Sequence, residues 1–154
     1  MSTTHTKSNT TSANELSRFA TRVQRKLGLL GEVDISITSN REMQELNRRF
    51  RKKNKATDVL TFPPGGGKVA GDIAISVEIA AANAGQLGHS LADEVKILIL
   101  HGMLHLAGYD HETDNGEMRS REAELRCFFK LPTSLIERTH TSEKTGNKRG
   151  GRRA

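Results

Sequence analysis

Eleven residues in the last third of the chain, HGMLHLAGYDH at 101–111, contain three of its six histidines. Residues four apart on an α-helix lie one turn apart on the same face, so a helix through His101 and His105 carries both imidazoles on one side. Gly108 favours a helix end with a tight turn, because glycine adopts positive φ without strain. Beyond that turn the chain can fold back and bring His111 to the same point. The segment therefore predicts a helix, a reversal and three converging imidazoles.

This histidine cluster predicts a metal site. Three neutral imidazoles fill three of the four tetrahedral positions around zinc and leave the fourth for water or substrate, as in catalytic zinc sites. We therefore predict one Zn²⁺ per chain, held by His101, His105 and His111, and no other cofactor. Cys127 is the single cysteine of the chain, which excludes a cysteine-based zinc site and an internal disulfide framework. As a small apolar residue, it is assigned to the core.

Apolar periodicity along the rest of the chain predicts a few short strands, early in the sequence, with helices around them. Alternating or short apolar runs predict strands at 33–38, 58–62 and 71–76. Helical spacing, caps and stop signals predict helices that include 16–27, 43–50, 77–87, 91–107 and 118–129. Phe128 and Phe129 are counted among the apolar residues of the last helix. The combination predicts an α+β domain, in which a small sheet packs with helices.

Both ends of the chain differ from its middle. Residues 1–13 are rich in Ser, Thr and Asn without apolar periodicity, and are predicted to be disordered. Residues 140–154 are predicted to form a flexible basic tail, because five Lys/Arg accompany a single Glu from Ser142 onward. The tail could solubilise the chain or tether RNA, and both interpretations stay open. A single metal-binding catalytic domain is expected over 14–139.

Composition restricts the partners and the compartment. The net charge of +6 favours an anionic partner. No apolar run approaches the roughly 18–20 residues of a membrane span, and the N-terminus lacks an apolar signal core. We therefore expect a cytoplasmic protein without a membrane partner.

The spacing HxxxHxxGxxH is also that of the metzincin metallopeptidases, so the predicted zinc helix is metzincin-like. Those enzymes carry a glutamate directly after the first histidine and use it as the general base. Gly102 occupies that position here. Peptide hydrolysis by the usual route is therefore disfavoured.

Two further segments precede the histidines. These are FRKKNKATDVLTFP at 50–63 and GDIAIS at 71–76. Together with HGMLHLAGYDH, and in this order, they resemble the YbeY family of bacterial rRNA maturation factors with single-strand endoribonuclease activity. The resemblance covers about residues 33–131.

The resemblance implies roles for individual residues. The family's three zinc ligands fall on the three histidines of the cluster, and its functional arginine falls on Arg51 of LNRRFR. Ala56 stands where the family usually has proline. Family members commonly begin with an apolar strand, which the Ser/Thr-rich start replaces here, so the sheet could lack that strand.

The resemblance also implies the substrate. It implies cleavage of single-stranded RNA in ribosomal RNA processing, including 3′-end maturation of 16S rRNA, and in ribosome quality control. The small ribosomal subunit is the implied partner, and no DNA is expected. Residues 41–55 carry seven Lys/Arg and two Glu, which suits an RNA-facing patch and also a solvated helix face. Arg51 lies in this run, where a planar guanidinium could hold a phosphate through two parallel hydrogen bonds.

Several other polar residues have structural and functional interpretations. Asp110 could act as a general base, orient a histidine or cap the turn, with the structural roles favoured. Tyr109 could stack on a base, although packing beside the bend is favoured. Asp72, at the start of a strand, is expected to bond loop backbone. Arg121 and Glu122 are expected to form solvated ion pairs on a helix.

Two other functions stay open at this point. A metallopeptidase with a displaced general base would cleave casein-like substrates and leave RNA intact. A ribosome-assembly factor would bind RNA while its zinc serves only the fold.

Overall fold

A computed structural model describes residues 10–51, 57–62 and 69–136, without the side chains of residues 10–12, 51, 69 and 70. Its helices are α1 (Thr10–Leu27), α2 (Asn40–Arg51), α3 (Val77–Leu87), α4 (Leu91–Leu106) and α5 (Glu117–Phe128). Its strands are β1 (Glu32–Thr38), β2 (Val59–Phe62) and β3 (Val69–Ser76). The predicted α+β class with a small sheet is confirmed.

The sheet has the order β1-β3-β2, with β1 parallel and β2 antiparallel to β3. Successive side chains of a strand point to opposite faces. On β3, Ile73 and Ile75 therefore enter the main core, while Ala74 packs with Met43 of α2 on the other face. The sheet thus separates a large core, which contains α4, from a small one beneath α2.

Helix α4 lies at the centre of the main core. Its residues from Val95 to Leu104 are apolar on nearly all sides, which is typical of a helix surrounded by protein. Ser90 starts this helix, because its hydroxyl accepts a 3.0 Å hydrogen bond from the backbone N–H of Asp93. Helices α1, α3 and α5 and strands β2 and β3 all contact α4. The histidine helix is therefore held on several sides at once.

Helix α5 begins soon after the histidine segment. The carboxylate of Asp114 accepts hydrogen bonds of 2.9 Å from the backbone N–H groups of both Gly116 and Met118. These two hydrogen bonds lower the pKa of Asp114 and satisfy donors at the helix start. This capping sets the position at which α5 begins.

One assignment at the end of α5 is wrong. Cys127 was expected to face the core and is exposed; Phe128, which lies on the last helix as predicted, is exposed as well. The inward positions of this segment are taken by Leu125, which is buried, and by Phe129, whose ring lies 5.2 Å from that of Phe19.

The predicted domain boundaries stay predictions. Helix α1 begins at Thr10, and residues 1–9 and the basic tail 140–154 lie outside the described residues. Within the described ranges β1 forms one edge of the sheet. No helix in these ranges is long and apolar enough to cross a membrane.

Candidate metal centre

The structure brings the three histidines of the sequence motif together. One ring nitrogen from each of His101, His105 and His111 lies within 4.8 Å of the other two. The ring centroids are 4.8 to 5.7 Å apart. We refer to these three residues as the histidine cluster.

The turn after α4 places the third histidine. Gly108 has a φ of 104°, which a residue with a Cβ atom rarely adopts. The backbone N–H of Tyr109 donates a 3.1 Å hydrogen bond back to the carbonyl of Leu104, which closes the helix end. The Asp110 carboxylate accepts a 3.1 Å hydrogen bond from the backbone N–H of Glu112. Asp110 therefore caps the turn, one of the structural roles considered for it.

The backbone fixes the tautomer of His105. Its Nδ1 atom lies 3.1 Å from the carbonyl oxygen of Tyr109. A carbonyl can only accept, so Nδ1 carries the proton and Nε2 keeps its lone pair. The Tyr109 side chain packs against the main core, in agreement with the packing role favoured for it.

A buried carboxylate holds His101 in the same way. Oε2 of Glu122 lies 2.8 Å from Nδ1 of His101, and Oε1 accepts a 2.9 Å hydrogen bond from the backbone N–H of Ile136. Glu122 is fully buried, so the expected solvated ion pair is wrong for this residue. Arg121 does pair with a carboxylate near the surface, that of Glu124 at 3.0 Å.

The sequence contained a signal for this contact that our prediction missed. Met118, Glu122 and Leu125 are spaced four and three residues apart, so they share one face of α5. Both apolar neighbours are fully buried. A carboxylate on an apolar helix face is rarely buried without a partner. The spacing therefore indicates a partner but does not identify it.

Burial favours the metal-binding form of His105. Desolvation lowers its pKa and the neighbouring His101 imidazole lowers it further, while the hydrogen bond to Tyr109 acts in the opposite direction. A neutral imidazole is the form that binds a metal ion. Three imidazoles, two with Nδ1 engaged by an acceptor, form a donor set that fits zinc.

Gly102 lies where α4 packs against the sheet. A Cβ atom at this position would lie 3.0 Å from Cδ1 of Ile73 and 3.1 Å from Cγ2 of Thr61. The glutamate that zinc peptidases carry after the first histidine would therefore meet β2 and β3. Steric packing therefore disfavours a glutamate at this position, and with it peptide hydrolysis by the usual route.

Asp72 lies on the other face of the sheet, away from α4. It stands opposite Asp34 in the β1–β3 register, and both line a cleft of about 980 Å³ between α2 and the sheet. Desolvation raises the pKa of Asp72, and the neighbouring Asp34 carboxylate raises it further. Among the described residues its side-chain partner is Asp34, and it does not join the histidine cluster.

The basic run 41–55 is described only in part. Arg48 pairs with Glu45 at 2.6 Å on the surface, and the Arg49 guanidinium lies 5.3 Å from the centroid of the Phe50 ring. Arg51 is the last residue of α2, but its side chain and residues 52–56 lie outside the described part of the chain. The catalytic role expected for Arg51 therefore stays a prediction.

Comparisons with known proteins agree with the motifs. Residues 2–130 match the family model described as Endoribonuclease YbeY. A Koribacter versatilis protein named Endoribonuclease YbeY is 56% identical over 138 residues, which cover 90% of this chain and 91% of that protein. A Solibacter usitatus protein of the same name is 48% identical over 126 residues, with coverages of 82% and 85%.

A solved structure shows the same fold. The solution structure of a Thermotoga maritima protein superposes with a TM-score of 0.52 at 34% identity, over 70% of this chain and 73% of that one. The chain belongs to the YbeY family of endoribonucleases, as its three motifs predicted.

Proposed function

We propose that this chain is a zinc-dependent endoribonuclease that cleaves single-stranded RNA. Its proposed substrate is ribosomal RNA in the cytoplasm, including the 3′ end of 16S rRNA, with the small ribosomal subunit as partner and a role in ribosome quality control. Membership of a family named for endoribonuclease activity supports the reaction. The family name does not specify the RNA, the ribosomal partner or the metal, and these three are our proposals.

The observation that carries the proposal is the histidine cluster, in which hydrogen bonds fix the tautomers of His101 and His105. Glu122 and the Tyr109 carbonyl engage Nδ1 of His101 and His105, so the Nε2 atoms remain available as ligands. Zinc in a three-histidine site supplies Lewis acidity toward a phosphoryl oxygen. Because two of the three histidines lie on a helix packed into the core, the chain holds these two ligands in place before RNA binds.

Arg51 is the proposed catalytic residue. It ends α2 within the basic run 41–55, whose lysines and arginines would attract the RNA backbone. A guanidinium can hold two phosphate oxygens in parallel and stabilise charge that develops during cleavage. Part of the run is neutralised internally by the Arg48–Glu45 pair, so the proposed RNA contact centres on its C-terminal half.

The first experiment compares RNA substrates with and without metal. Purified full-length protein is incubated with an end-labelled single-stranded RNA and with its duplex form, before and after chelation, and then with zinc or magnesium restored. The proposal predicts cleavage of the single strand only, lost on chelation and recovered with zinc. A His101→Ala, His105→Ala double variant purified in parallel controls for contaminating nuclease. An RNA containing the 3′ end of precursor 16S rRNA and a shuffled RNA of equal length then test the proposed substrate.

The alternatives predict different results. Casein cleavage without RNA cleavage would select a metallopeptidase with a displaced base. RNA binding without cleavage, with zinc restoring only folding, would select an assembly factor with structural zinc. Either result would overturn the proposed function.

A further inference from the structure

Two phenylalanine rings and two cations meet where the C-terminal ends of α1 and α5 come together. Nζ of Lys26 lies 4.1 Å from the centroid of the Phe128 ring, and the Arg22 guanidinium lies 5.0 Å from that of Phe129. The two rings are 4.9 Å apart and nearly perpendicular. We call these four residues the aromatic–basic patch. None of them belongs to the histidine cluster.

The two rings differ in burial. Phe129 is anchored in the main core through its edge-to-face contact with Phe19 at 5.2 Å. Phe128, by contrast, is 52% exposed. Lys26 covers part of the Phe128 ring, and the exposed remainder is an apolar surface held in place by Phe129 and the end of α5. A large aromatic side chain displayed in this way is suited to stacking.

The α1 side of the patch is positively charged. The outer surface of α1 carries exposed Arg18, Arg22, Arg25 and Lys26. The only acidic residue of α1 is Glu15, which is paired with Lys96 of α4 at 2.6 Å. Among the described residues none of these four cations is part of an ion pair, so they are available to an anionic partner.

We propose that the aromatic–basic patch is a second contact for single-stranded RNA, in which a base stacks on Phe128 and the adjoining phosphates bind Arg22 and Lys26. This inference rests on the proposed function, because it takes RNA as the ligand. Aromatic faces beside cations are the usual elements of single-strand recognition, since every base has a face that can stack. A second copy of this chain fits less well, because it would bring like charges together.

The test measures binding of the full-length zinc-loaded protein to a labelled 2′-O-methyl single-stranded oligonucleotide by fluorescence anisotropy. A stacked base is worth about a 5- to 150-fold change in affinity, so Phe128→Ala should weaken binding within this range. Phe128→Trp should retain it, because the ring is kept. Lys26→Glu changes an exposed side chain and leaves the Phe128 ring in place. It should also weaken RNA binding, because it replaces a cation that would hold phosphate with an anion.

Leu87→Ala is the matched control. Leu87 is 48% exposed on α3, outside the patch, so its truncation removes a similar apolar surface without an effect on RNA affinity. Melting temperatures of all variants are measured on the same preparations. Cleavage at RNA concentrations below saturation should fall in Phe128→Ala in proportion to its loss of affinity, while Leu87→Ala should cleave RNA as the wild type does.

Each outcome decides the inference separately from the proposed function. Unchanged affinity in both Phe128→Ala and Lys26→Glu would overturn the second contact, even if the wild-type protein cleaves RNA. If the two variants bind RNA as the wild type does but sediment differently from it, the patch is an interface between copies of the chain and the second RNA contact is overturned. Weaker binding in both variants of a protein that does not cleave RNA would support the contact and refute the proposed function.

Discussion

Nδ1 of His101 lies 2.8 Å from Oε2 of Glu122, a carboxylate that is fully buried between α4 and α5. The other oxygen of the same carboxylate accepts the backbone N–H of Ile136 at 2.9 Å. One side chain therefore orients a candidate zinc ligand and also secures the segment that follows α5. Residues of this kind commonly control the affinity of a metal site without touching the metal.

Replacing Glu122 should weaken zinc binding. We expect Glu122→Gln to raise the zinc dissociation constant by about 10- to 100-fold, because loss of the carboxylate lowers the basicity and order of the His101 ring. Glu122→Ala should also lower the free energy of unfolding by about 1–3 kcal/mol, because buried donors lose their acceptor. Competition with a chromogenic chelator gives the affinity, and urea unfolding gives the stability. Glu124→Gln, an exposed change on the same helix, should leave both unchanged. Wild-type zinc affinity in both Glu122 variants would contradict this role.

The histidine helix was predictable because its signals are local. Ser90, a continuous apolar segment and Gly108 mark its start, body and end, and the spacing of its histidines fixes their common face. The Glu122 contact joins residues 21 positions apart. It depends on the angle at which α5 packs on α4, which helical periodicity does not determine.

Other features of the fold could not be predicted for a similar reason. Helical spacing placed Phe128 and Phe129 among the apolar residues of the last helix, but it did not show that Phe128 is exposed while the Phe129 ring lies 5.2 Å from that of Phe19. The pairing of Asp34 with Asp72 follows from the β1–β3 register. That register joins strands on either side of α2 and β2 in the sequence, so no local pattern reveals it.

Adding a methyl group at Gly102 should destabilise the packing of α4 on the sheet. Gly102→Ala gains helix propensity, but its Cβ would lie 3.0 Å from Cδ1 of Ile73, so overpacking of about 1–3 kcal/mol should dominate. Ile73→Val removes that Cδ1 atom. It should therefore be less destabilising in the Gly102→Ala background than in the wild type, where Ile→Val typically costs about 0.5–1.5 kcal/mol.

Gly85 provides the matched control for this cycle. It is also a helical glycine, on α3, but a Cβ there would have no atom within 4 Å. Gly85→Ala should therefore stabilise the protein by about 0.5–1 kcal/mol. Urea unfolding of the four single and double variants measures each value. The prediction would be contradicted if Gly102→Ala stabilised the protein and the effects of Gly102→Ala and Ile73→Val were additive. A small shift of the helix would then relieve the contact.

The Asp34–Asp72 pair should make stability depend on pH. The pKa of Asp72 in the fold is raised above its ordinary value of 3.8 by desolvation and by Asp34. The folded state therefore binds more protons than the unfolded state between these two pKa values, and stability falls as pH rises through that interval. Asp72→Asn removes this penalty, so it should stabilise the protein at pH 7 relative to the wild type.

The same gain should shrink as pH falls through the raised pKa of Asp72 toward 3.8, because the folded-state carboxyl takes up a proton and the repulsion is lost. Urea unfolding at several pH values between 4 and 7 measures the difference between variant and wild type. Asp34→Asn should relieve the same repulsion, so the two changes should not be additive in the double variant. A destabilising Asp72→Asn at pH 7 would show that the pair contributes no net repulsion.

Deleting the basic tail should reduce the salt dependence of RNA binding if the tail contacts phosphates. Each neutralised phosphate contributes a slope of about 0.7 in a plot of log affinity against log salt, so five cations could account for about 3.5. Removal of residues 140–154 is compared with removal of residues 1–9, which contain a single lysine. An unchanged slope after tail deletion would assign the tail a solubilising role.

Arg51→Ala should separate chemistry from folding at the proposed active site. Arg51 ends α2 and matches the arginine of the family's LNxxFR-like segment, so the variant should keep its zinc and its melting temperature. Loss of a charge-assisted phosphate clamp should lower single-turnover cleavage at saturating RNA by about 100- to 1,000-fold. Arg51→Lys should recover only part of this rate, because an ammonium lacks the planar pair of donors.

Arg41→Ala, which removes an equal charge from the first turn of α2, should retain the rate at saturation. Full cleavage by Arg51→Ala would exclude the guanidinium from the reaction, and loss of zinc or of folding in that variant would show a structural role instead.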